Sequence, residues 1–197
     1  MTTLHATPYN LDATGFYFDS LDDYQVKSEN HLDRFDNLVE EFEIQFIDGD
    51  DAELFDACGI SQTNLNIWFD EIEFLQDYEK ASLYYLVGVA GCNLEQALTK
   101  IEEPSIYRGE LLEAAIELFD ECYLHTIPDN IKYYIDYEKF ARDCELGGDM
   151  CEFEYANTTY TCTNSNALSK LKPALSSTYL EQKKRLIKID SLLRRFR

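Results

Sequence analysis

The sequence predicts an α+β protein of three small domains followed by a basic helical tail, and three observations support this prediction. The chain has 197 residues, which is enough for one domain or for two to three small ones. Its content of 45% hydrophobic and 14% aromatic residues is too high for a disordered acidic tail. Segments with strand-like alternation and segments with helical spacing occupy separate stretches of the chain. The predicted divisions are an N-terminal α/β domain at 1–60, an all-helical domain at 61–103, a C-terminal domain of helices and strands at 104–169, and a basic amphipathic helix at 170–197.

The N-terminal domain is predicted to contain two extended segments, a short helix and a longer strand. Residues 4–7 and 15–18 are extended, and Ser20 is placed to cap a helix with an acidic first turn. Residues 41–48 alternate between apolar and polar side chains, which predicts a half-buried strand with a charged outer face. The inner residues of this strand are Phe42, Ile44 and Phe46, and the outer residues are Glu41, Glu43 and Gln45.

The middle domain, 61–103, is predicted to be built from three helices. Asn64 is placed to cap the first helix, a second helix spans 81–90, and a third at 93–102 ends before Pro104. The apolar face of the first helix would consist of Leu65, Trp68, Phe69, Ile72 and Leu75. Its opposite side would present an acidic stripe at spacings of three and four, formed by Asp70, Glu73 and Asp77.

The domain at 104–169 is predicted to contain a helix at 109–123, a helical stretch at 130–146 that ends at Gly147-Gly148, and a hairpin at 150–163. The inward-facing residues of the first helix would be Leu111, Leu112, Ala115, Leu118, Phe119 and Cys122. A second acidic stripe, at spacings of three, four and three, is formed by Glu110, Glu113, Glu117 and Asp120.

The charge of the chain is distributed very unevenly. The formal net charge is -21, yet residues 170–197 hold nine of the seventeen Lys and Arg residues and only two acids. Residues 1–169 therefore contain 36 acidic and eight basic residues, a net charge of -28. Between Arg34 and Lys80 there are fourteen carboxylates and no basic residue. Such a body destabilises its own compact state by self-repulsion, so we expect a function that compensates for this cost.

The two acidic stripes have two interpretations, a solvated helix face or a binding surface. Solvated faces usually mix charge signs, because Glu–Lys pairs at i,i+4 stabilise a helix by about 0.2–0.5 kcal/mol and like charges cost a similar amount. Both stripes instead repeat like charges at spacings of three and four residues, which is unfavourable for a helix. Duplex DNA carries one charge per roughly 1.7 Å of axis, so this charge matches about 14 base pairs, and a dimer about 28. Such a surface would compete for the basic groove of a DNA-binding enzyme, and we do not expect the acidic body itself to bind DNA.

Metal and cofactor sites are not predicted. The six cysteines include no C-x-x-C pair and only three histidines are present, which argues against zinc. The acidic run from Asp48 resembles a calcium loop but fails its template, since Ala52, Glu53 and Gly59 occupy positions that need a ligand, a glycine and a bidentate glutamate.

An enzyme and a membrane protein are not predicted either. None of the three histidines lies near a nucleophile motif, and no G-x-S-x-G, P-loop or H-E-x-x-H sequence occurs. The N-terminus has no signal-peptide pattern and no apolar stretch approaches 18 residues. We therefore expect a cytoplasmic protein with reduced, mostly buried thiols.

Three segments of the chain resemble the ArdA antirestriction proteins. They are TPYNLDATGFYFDSLDDY at 7–24, EFEIQFIDGD at 41–50 and, above all, IPDNIKYYIDYEKFARDCELGGDM at 127–150. The resemblance covers about residues 3–165. It implies three domains in a curved, elongated row, a homodimer formed through the third domain, and mimicry of bent B-form DNA in a bacterial host cell. It also implies a target, the DNA-binding methyltransferase core of type I restriction–modification enzymes.

The resemblance and the charge pattern together define the predicted site. The carboxylates expected to stand in for phosphates are Asp48, Asp50, Asp51, Glu53, Asp70, Glu73, Asp77, Glu102, Glu103, Glu110, Glu113, Glu117 and Asp120. The aromatic residues expected at the dimer contact are Tyr133, Tyr134 and Tyr137. The basic tail departs from the family pattern, and docking on the acidic body, binding to nucleic acid and recruitment of a partner all remain open for it.

Three hypotheses for the function follow from these observations. The first is a DNA mimic that occludes a type I restriction–modification enzyme. The second keeps the mimicry but changes the target, for instance to a CRISPR effector or a nucleoid protein. The third is an acidic adaptor or chaperone for a basic partner protein, in which the tail would be the docking helix. Deletion of 170–197 should abolish function only under the third hypothesis.

Overall fold

The structure is a computed structural model that describes residues 2–169, so the predicted basic tail at 170–197 lies outside the described residues. The chain divides into two compact units. The first extends to Glu102 and includes Glu154–Asn157, and the second contains Glu103–Phe153 and the described residues from Thr158 onward. The described residues form both helices and small sheets, as predicted. The three-domain layout and the elongation remain predictions.

The first unit contains one small sheet and five α-helices among its described residues. Its elements are β1 (Thr3–Pro8), β2 (Phe16–Phe18), α1 (Leu21–Glu29), β3 (Phe42–Asp48), α2 (Ala52–Ala57), α3 (Leu65–Asp70), α4 (Asp77–Tyr84) and α5 (Leu94–Thr99). A 3-10 helix, Ile72–Phe74, lies between α3 and α4, and a π-helix, Tyr85–Val89, continues α4.

The sheet of the first unit confirms the alternation predicted for the strand at 41–48. Its order is β2-β1-β3, and β1 pairs antiparallel with both neighbours, so that Leu4 lies opposite Phe18 and Phe46. In β3, Phe42 and Ile44 are buried, whereas Glu43 between them is exposed. The predicted cap of α1 is also confirmed, because Ser20 Oγ accepts a hydrogen bond from the Asp23 N–H at 3.3 Å.

The prediction of one long first helix in the middle domain is wrong. Helix α3 ends at Asp70, and the chain reaches α4 only after Leu75, whose ψ of 146° is extended rather than helical. Asn64 precedes α3 but makes no capping bond, since its side chain accepts from the Ser61 N–H at 2.6 Å instead. The acidic stripe 70/73/77 is therefore spread over three separate elements and does not form one helix face.

The core of the first unit is centred on Trp68, which is fully buried as predicted. Its ring lies 5.0 Å from the ring of Phe55 on α2 and 6.2 Å from that of Phe46 on β3. Strand β3 and helix α3 thus share one core, although the predicted domain border falls between them, after residue 60. Burial of aromatic side chains of this size is a major stabilising contribution to a small unit.

The second unit also combines helices with a small sheet. Its elements are β4 (Ile106–Arg108), α6 (Leu111–Cys122), α7 (Tyr137–Gly147), β5 (Cys151–Tyr155), β6 (Thr158–Cys162) and α8 (Ser165–Ser169), with 3-10 helices at Leu124–Thr126 and Lys132–Tyr134. The last two residues of β5, Glu154 and Tyr155, are counted with the first unit. The sheet order is β4-β6-β5, and β4 pairs antiparallel with β6. The predicted hairpin is confirmed, with both turn residues, Ala156 and Asn157, at positive φ as in type I′ turns. Strand β4 was not predicted.

Helices α6 and α7 pack around a small core. Ala115, Ala141, Cys144 and Met150 are buried there, with Leu111, Leu118 and Phe140 packed against them. Two residues predicted to point inward on α6 are exposed instead, namely Leu112, at 37%, and Cys122. Helix α7 begins at Tyr137 rather than near 130, and it ends as predicted, with Gly148 in the left-handed region at φ 73°.

Candidate partner-binding surface

The first group of predicted site residues lies where β3 gives way to α2. Asp48 is the last residue of β3, Asp50 lies in the following turn, and Glu53 lies in the first turn of α2. All three side chains are exposed. The Glu53 carboxylate also accepts a hydrogen bond from the Ala156 N–H at 3.0 Å. The β3–α2 turn therefore presents carboxylates to solvent at a fixed position.

Asp51 differs from its neighbours because it is held inside the first unit. Its carboxylate forms an ion pair with Lys80, with Nζ 2.7 Å from Oδ2, and both side chains are only 15% exposed. The Tyr155 hydroxyl donates to the other carboxylate oxygen at 3.3 Å. The charge of Asp51 is thus largely compensated within the fold.

The residues of the stripe 70/73/77 have different environments. Asp70 ends α3 and Asp77 begins α4, and both are exposed. Glu73 lies in the 3-10 helix between them, is half-buried, and accepts a hydrogen bond from the Thr2 N–H at 3.1 Å. Two of the three carboxylates are therefore available to a partner, and the third fixes the start of the chain.

The stripe of the second unit lies on one continuous helix. Glu110 precedes α6, and Glu113 and Glu117 are exposed on successive turns of it. Asp120 is half-buried, and the Tyr137 hydroxyl donates to its carboxylate at 2.6 Å. This hydrogen bond is the main reason that the pKa of Tyr137 lies above its usual value, because loss of the proton would place two negative charges together.

The thirteen predicted carboxylates thus form two groups. Asp51, Glu73 and Asp120 are half-buried and bonded to other parts of their own unit. The other ten side chains are exposed, including those of Glu102 and Glu103 in the segment between α5 and β4.

Two acidic residues of the second unit were missed by the sequence analysis. Glu152 accepts a hydrogen bond from the Leu111 N–H at 2.7 Å, so a strand residue supplies the acceptor for the first turn of α6. Glu121 is exposed one turn after Glu117 on α6. Its i,i+4 spacing from Glu117 was a usable signal, whereas the contact of Glu152 could not be read from spacing.

Few positive charges moderate these surfaces. Besides Lys80, the described residues include ion pairs of Lys27 with Asp23, Arg34 with Asp12, and Lys132 with Asp129, at 2.6–2.8 Å. The nearby negative charges raise the pKa of Tyr78, chiefly through the neighbouring Glu79 carboxylate. Residues 1–169 hold 36 acidic and only eight basic residues, so these pairs leave most of the negative charge uncompensated.

The three aromatic residues predicted for a dimer contact differ in their exposure to solvent. Tyr133 and Tyr134 lie in the 3-10 helix before α7 and are 93% and 84% exposed. Tyr137 is half-buried, and its ring packs edge-on against that of Phe119 at 5.4 Å. Two large aromatic side chains therefore stand free on the surface, and the third belongs to the fold of the second unit.

Metal-ligating side chains are not clustered in the part of the chain that the structure describes. Residues 2–169 contain no group of three or more His, Cys, Asp or Glu side chains placed to hold a metal ion. Burial raises the pKa of the Cys58 thiol to about 12 and that of Cys144 to about 11, so neither is a reactive thiolate at neutral pH. None of the described helices is both long and apolar enough to cross a bilayer.

A comparison with protein families identifies a match for most of the chain. A family model described as "Antirestriction protein (ArdA)" matches residues 14–159, which include both acidic stripes and the exposed tyrosines. No curated protein and no solved structure matches the chain significantly.

Proposed function

The chain belongs to the ArdA family of antirestriction proteins, and from this premise we propose that its exposed carboxylates mimic the phosphates of DNA. Membership implies an inhibitor of restriction enzymes rather than an enzyme. The proposal adds a mechanism, in which the acidic surface occupies the DNA-binding groove of the target and excludes DNA. We propose that the target is the methyltransferase core of a type I restriction–modification enzyme, met in the cytoplasm of a bacterial host.

The observation that supports this mechanism most directly is the second acidic stripe. Glu113 and Glu117 repeat a like charge at i,i+4 on one helix, an arrangement that costs the helix stability. No Lys or Arg is interspersed between Arg108 and Lys132 to relieve it. A surface that keeps an unfavourable charge pattern is better suited to bind a basic partner than to stabilise its own fold.

The ten exposed carboxylates are the proposed phosphate equivalents. They are Asp48, Asp50, Glu53, Asp70, Asp77, Glu102, Glu103, Glu110, Glu113 and Glu117. Asp51, Glu73 and Asp120 would contribute to the overall field but chiefly hold the fold. Because the binding energy is spread over many screened pairs, a single Asp→Asn or Glu→Gln change should alter affinity by less than about fivefold.

The proposed function is tested by displacement of DNA. A type I methyltransferase bound to labelled duplex is titrated with the protein, and direct binding of the two proteins is measured at 50 and 200 mM salt. We expect stoichiometric displacement and an affinity that falls steeply with salt, because many charge pairs form at once. Affinity that is independent of salt, or complete loss of binding from one exposed carboxylate, would contradict the proposal. Binding to another DNA-binding defence protein but not to the methyltransferase would retain the mimicry and change the target.

We also propose that Tyr133 and Tyr134 contribute to a homodimer contact. Their exposure is unusual for tyrosine side chains, and aromatic residues are enriched at protein interfaces. The double variant Tyr133→Ser/Tyr134→Ser should shift the mass measured by light scattering from dimer towards monomer. The matched control Tyr9→Ser/Tyr17→Ser removes two exposed tyrosines from the first unit and should leave the mass unchanged.

A further inference from the structure

The second unit contains a small open pocket beside α6 that no feature of phosphate mimicry explains. Its volume is about 190 Å³, and its apolar walls come from Ile106 of β4 and from Ala114 and Leu118 of α6. Sites for small-molecule ligands usually measure about 300–1,000 Å³, so the pocket is too small for most metabolites. Its size suits a single side chain of a partner protein.

Two carboxylates stand at this pocket, those of Glu117 and Glu121. They are four residues apart on α6, and side chains at this spacing are neighbours about 5–6 Å apart at Cβ. Both are exposed, and neither forms a hydrogen bond or ion pair with another described residue. The pocket therefore combines an apolar interior with two adjacent negative charges that no cation of the described chain neutralises.

The aromatic residue Tyr107 also borders the pocket. A Cβ atom placed on Gly109 would lie only 2.6 Å from Tyr107 Cε1 and 2.7 Å from a Glu113 carboxylate oxygen. Gly109 has a φ of 154°, so the absence of a side chain there lets the Tyr107 ring and the Glu113 carboxylate approach the same backbone position. The position of the Tyr107 ring thus depends on this glycine.

We propose that the pocket binds an arginine side chain of the target enzyme, a refinement that rests on the function proposed above. The aliphatic part of arginine would cover Ile106 and Leu118, while the guanidinium would reach the two carboxylates. A planar, weakly hydrated guanidinium also stacks on aromatic rings, which Tyr107 provides. This contact differs from phosphate mimicry because DNA offers no apolar pocket beside its charges, so the protein would gain an anchor that DNA lacks.

The first test uses a small probe and does not depend on any restriction enzyme. N-acetyl-arginine amide is titrated into the full-length, isotope-labelled protein, with the citrulline analogue as an uncharged control of nearly the same shape. We expect amide shifts concentrated at Ser105, Tyr107, Glu117 and Glu121 with the arginine probe and none with the citrulline probe. Shifts spread evenly over all acidic surfaces, or equal effects of the two probes, would overturn the proposal.

The chain's own arginines are the competing occupants, and the same titration distinguishes them. If localised shifts appear only after four C-terminal residues are replaced by glutamine, the pocket is filled by the protein itself and the proposal of a partner's arginine is wrong. The four residues are Arg185, Arg194, Arg195 and Arg197.

The second test measures displacement of DNA from the methyltransferase by three variants. Glu117→Gln/Glu121→Gln removes two charges from α6, and Glu110→Gln/Glu113→Gln removes two from its N-cap and first turn, but only the first pair lines the pocket. Ser105→Phe fills the pocket without a change of charge, and the three hydrogen bonds of the Ser105 backbone can persist. The expected loss of affinity is about tenfold greater for Glu117→Gln/Glu121→Gln than for its control, with a clear loss for Ser105→Phe.

The pattern of results separates this proposal from the proposed function. If the unchanged protein fails to displace DNA, the proposed target is wrong, and the arginine titration still decides whether the pocket binds a guanidinium. If it displaces DNA but the two glutamine pairs lose affinity equally and Ser105→Phe loses none, only the general negative field acts and the pocket proposal is wrong.

Discussion

The two acidic stripes have nearly the same spacing in the sequence and very different structures. Glu113, Glu117 and Asp120 occupy successive turns of the twelve-residue helix α6. Asp70, Glu73 and Asp77 lie on three separate elements, and Glu73 is turned inward to the Thr2 N–H. Periodic charge therefore does not establish a continuous helix. What distinguishes the carboxylates of this protein is whether they are half-buried against other parts of the fold or exposed to solvent, and mutations can test this division.

The largest effect is expected at Asp51, the carboxylate most firmly held by the fold. Asp51→Ala would leave the half-buried Lys80 ammonium without its partner and should lower the unfolding free energy of the first unit by about 2–3 kcal/mol. Trp68 is the only tryptophan of the chain and is buried in this unit, so its fluorescence during urea unfolding gives the measurement.

Asp50 provides the matched control for this prediction. It lies next to Asp51 but is exposed, so Asp50→Ala should change the unfolding free energy by less than about 0.5 kcal/mol. Equal destabilisation by the two variants would show that the division between partnered and exposed carboxylates has no energetic meaning here.

The start of α6 gives the second prediction. Gly109→Ala should destabilise this region by about 1–3 kcal/mol, because the new Cβ collides with Tyr107 and Glu113 at a φ of 154°. Gly88 is the control, since its nearest neighbours, atoms of the Tyr84 ring, are 3.7 Å away or farther, and Gly88→Ala should be neutral or slightly stabilising. Amide hydrogen exchange of α6 measures the first change and that of the π-helix the second. Unchanged exchange in α6 after Gly109→Ala would contradict the crowding described.

Asp33 extends the comparison to pH, because it is a partnered carboxylate outside both stripes. Its pKa lies below the usual value, chiefly because the Asn37 N–H donates to it, with further hydrogen bonds from Phe35, the Asn37 side chain and Asn10. A lowered folded pKa means that its stabilising contribution is present above the unfolded pKa, about 3.9, and is lost as pH falls through the folded value.

The corresponding experiment compares Asp33→Ala with the unchanged protein at several pH values. At pH 7 the variant should unfold at a lower urea concentration than the unchanged protein. The difference between the two unfolding midpoints should become smaller as the pH drops below about 4. Asp56→Ala, at an exposed position on α2, should show no such narrowing. A gap for Asp33→Ala that stays constant with pH would assign its effect to packing rather than to the ionised carboxylate.

The sequence predicted those features that depend on local pattern. The strand at 41–48, the Ser20 cap, the hairpin and the end of α7 at Gly148 follow from alternation, capping and turn chemistry. The break between α3 and α4 was missed because the apolar spacing continues through Leu75, although its backbone is extended. Strand β4 was missed because three residues are too few for an alternation to be detected.

The candidate site was predicted in the same uneven way. Charge counting found the acidic residues, and ten of the thirteen are exposed. It could not find which of them the fold uses, because the partners are distant in sequence, such as Thr2 for Glu73 and Lys80 for Asp51. The pocket beside Glu117 was missed for the same reason, since it needs the contact of α6 with β4.

The smallest expected effect tests the opening comparison most directly, because the same change should have opposite signs in the two stripes. Glu117→Lys places a cation between Glu113 and Glu121, four residues away on either side, and should stabilise α6 by about 0.5 kcal/mol. Glu73→Lys removes the acceptor of the Thr2 N–H and should destabilise the first unit by about 1 kcal/mol. Amide hydrogen exchange of α6 measures the effect of Glu117→Lys, and Trp68 fluorescence during urea unfolding measures the effect of Glu73→Lys. If both variants are more stable than the unchanged protein, Glu73 is only another solvated charge and the two stripes are alike. If Glu117→Lys gains stability and Glu73→Lys loses it, the continuous helix α6 keeps repulsive charges that its own stability does not require.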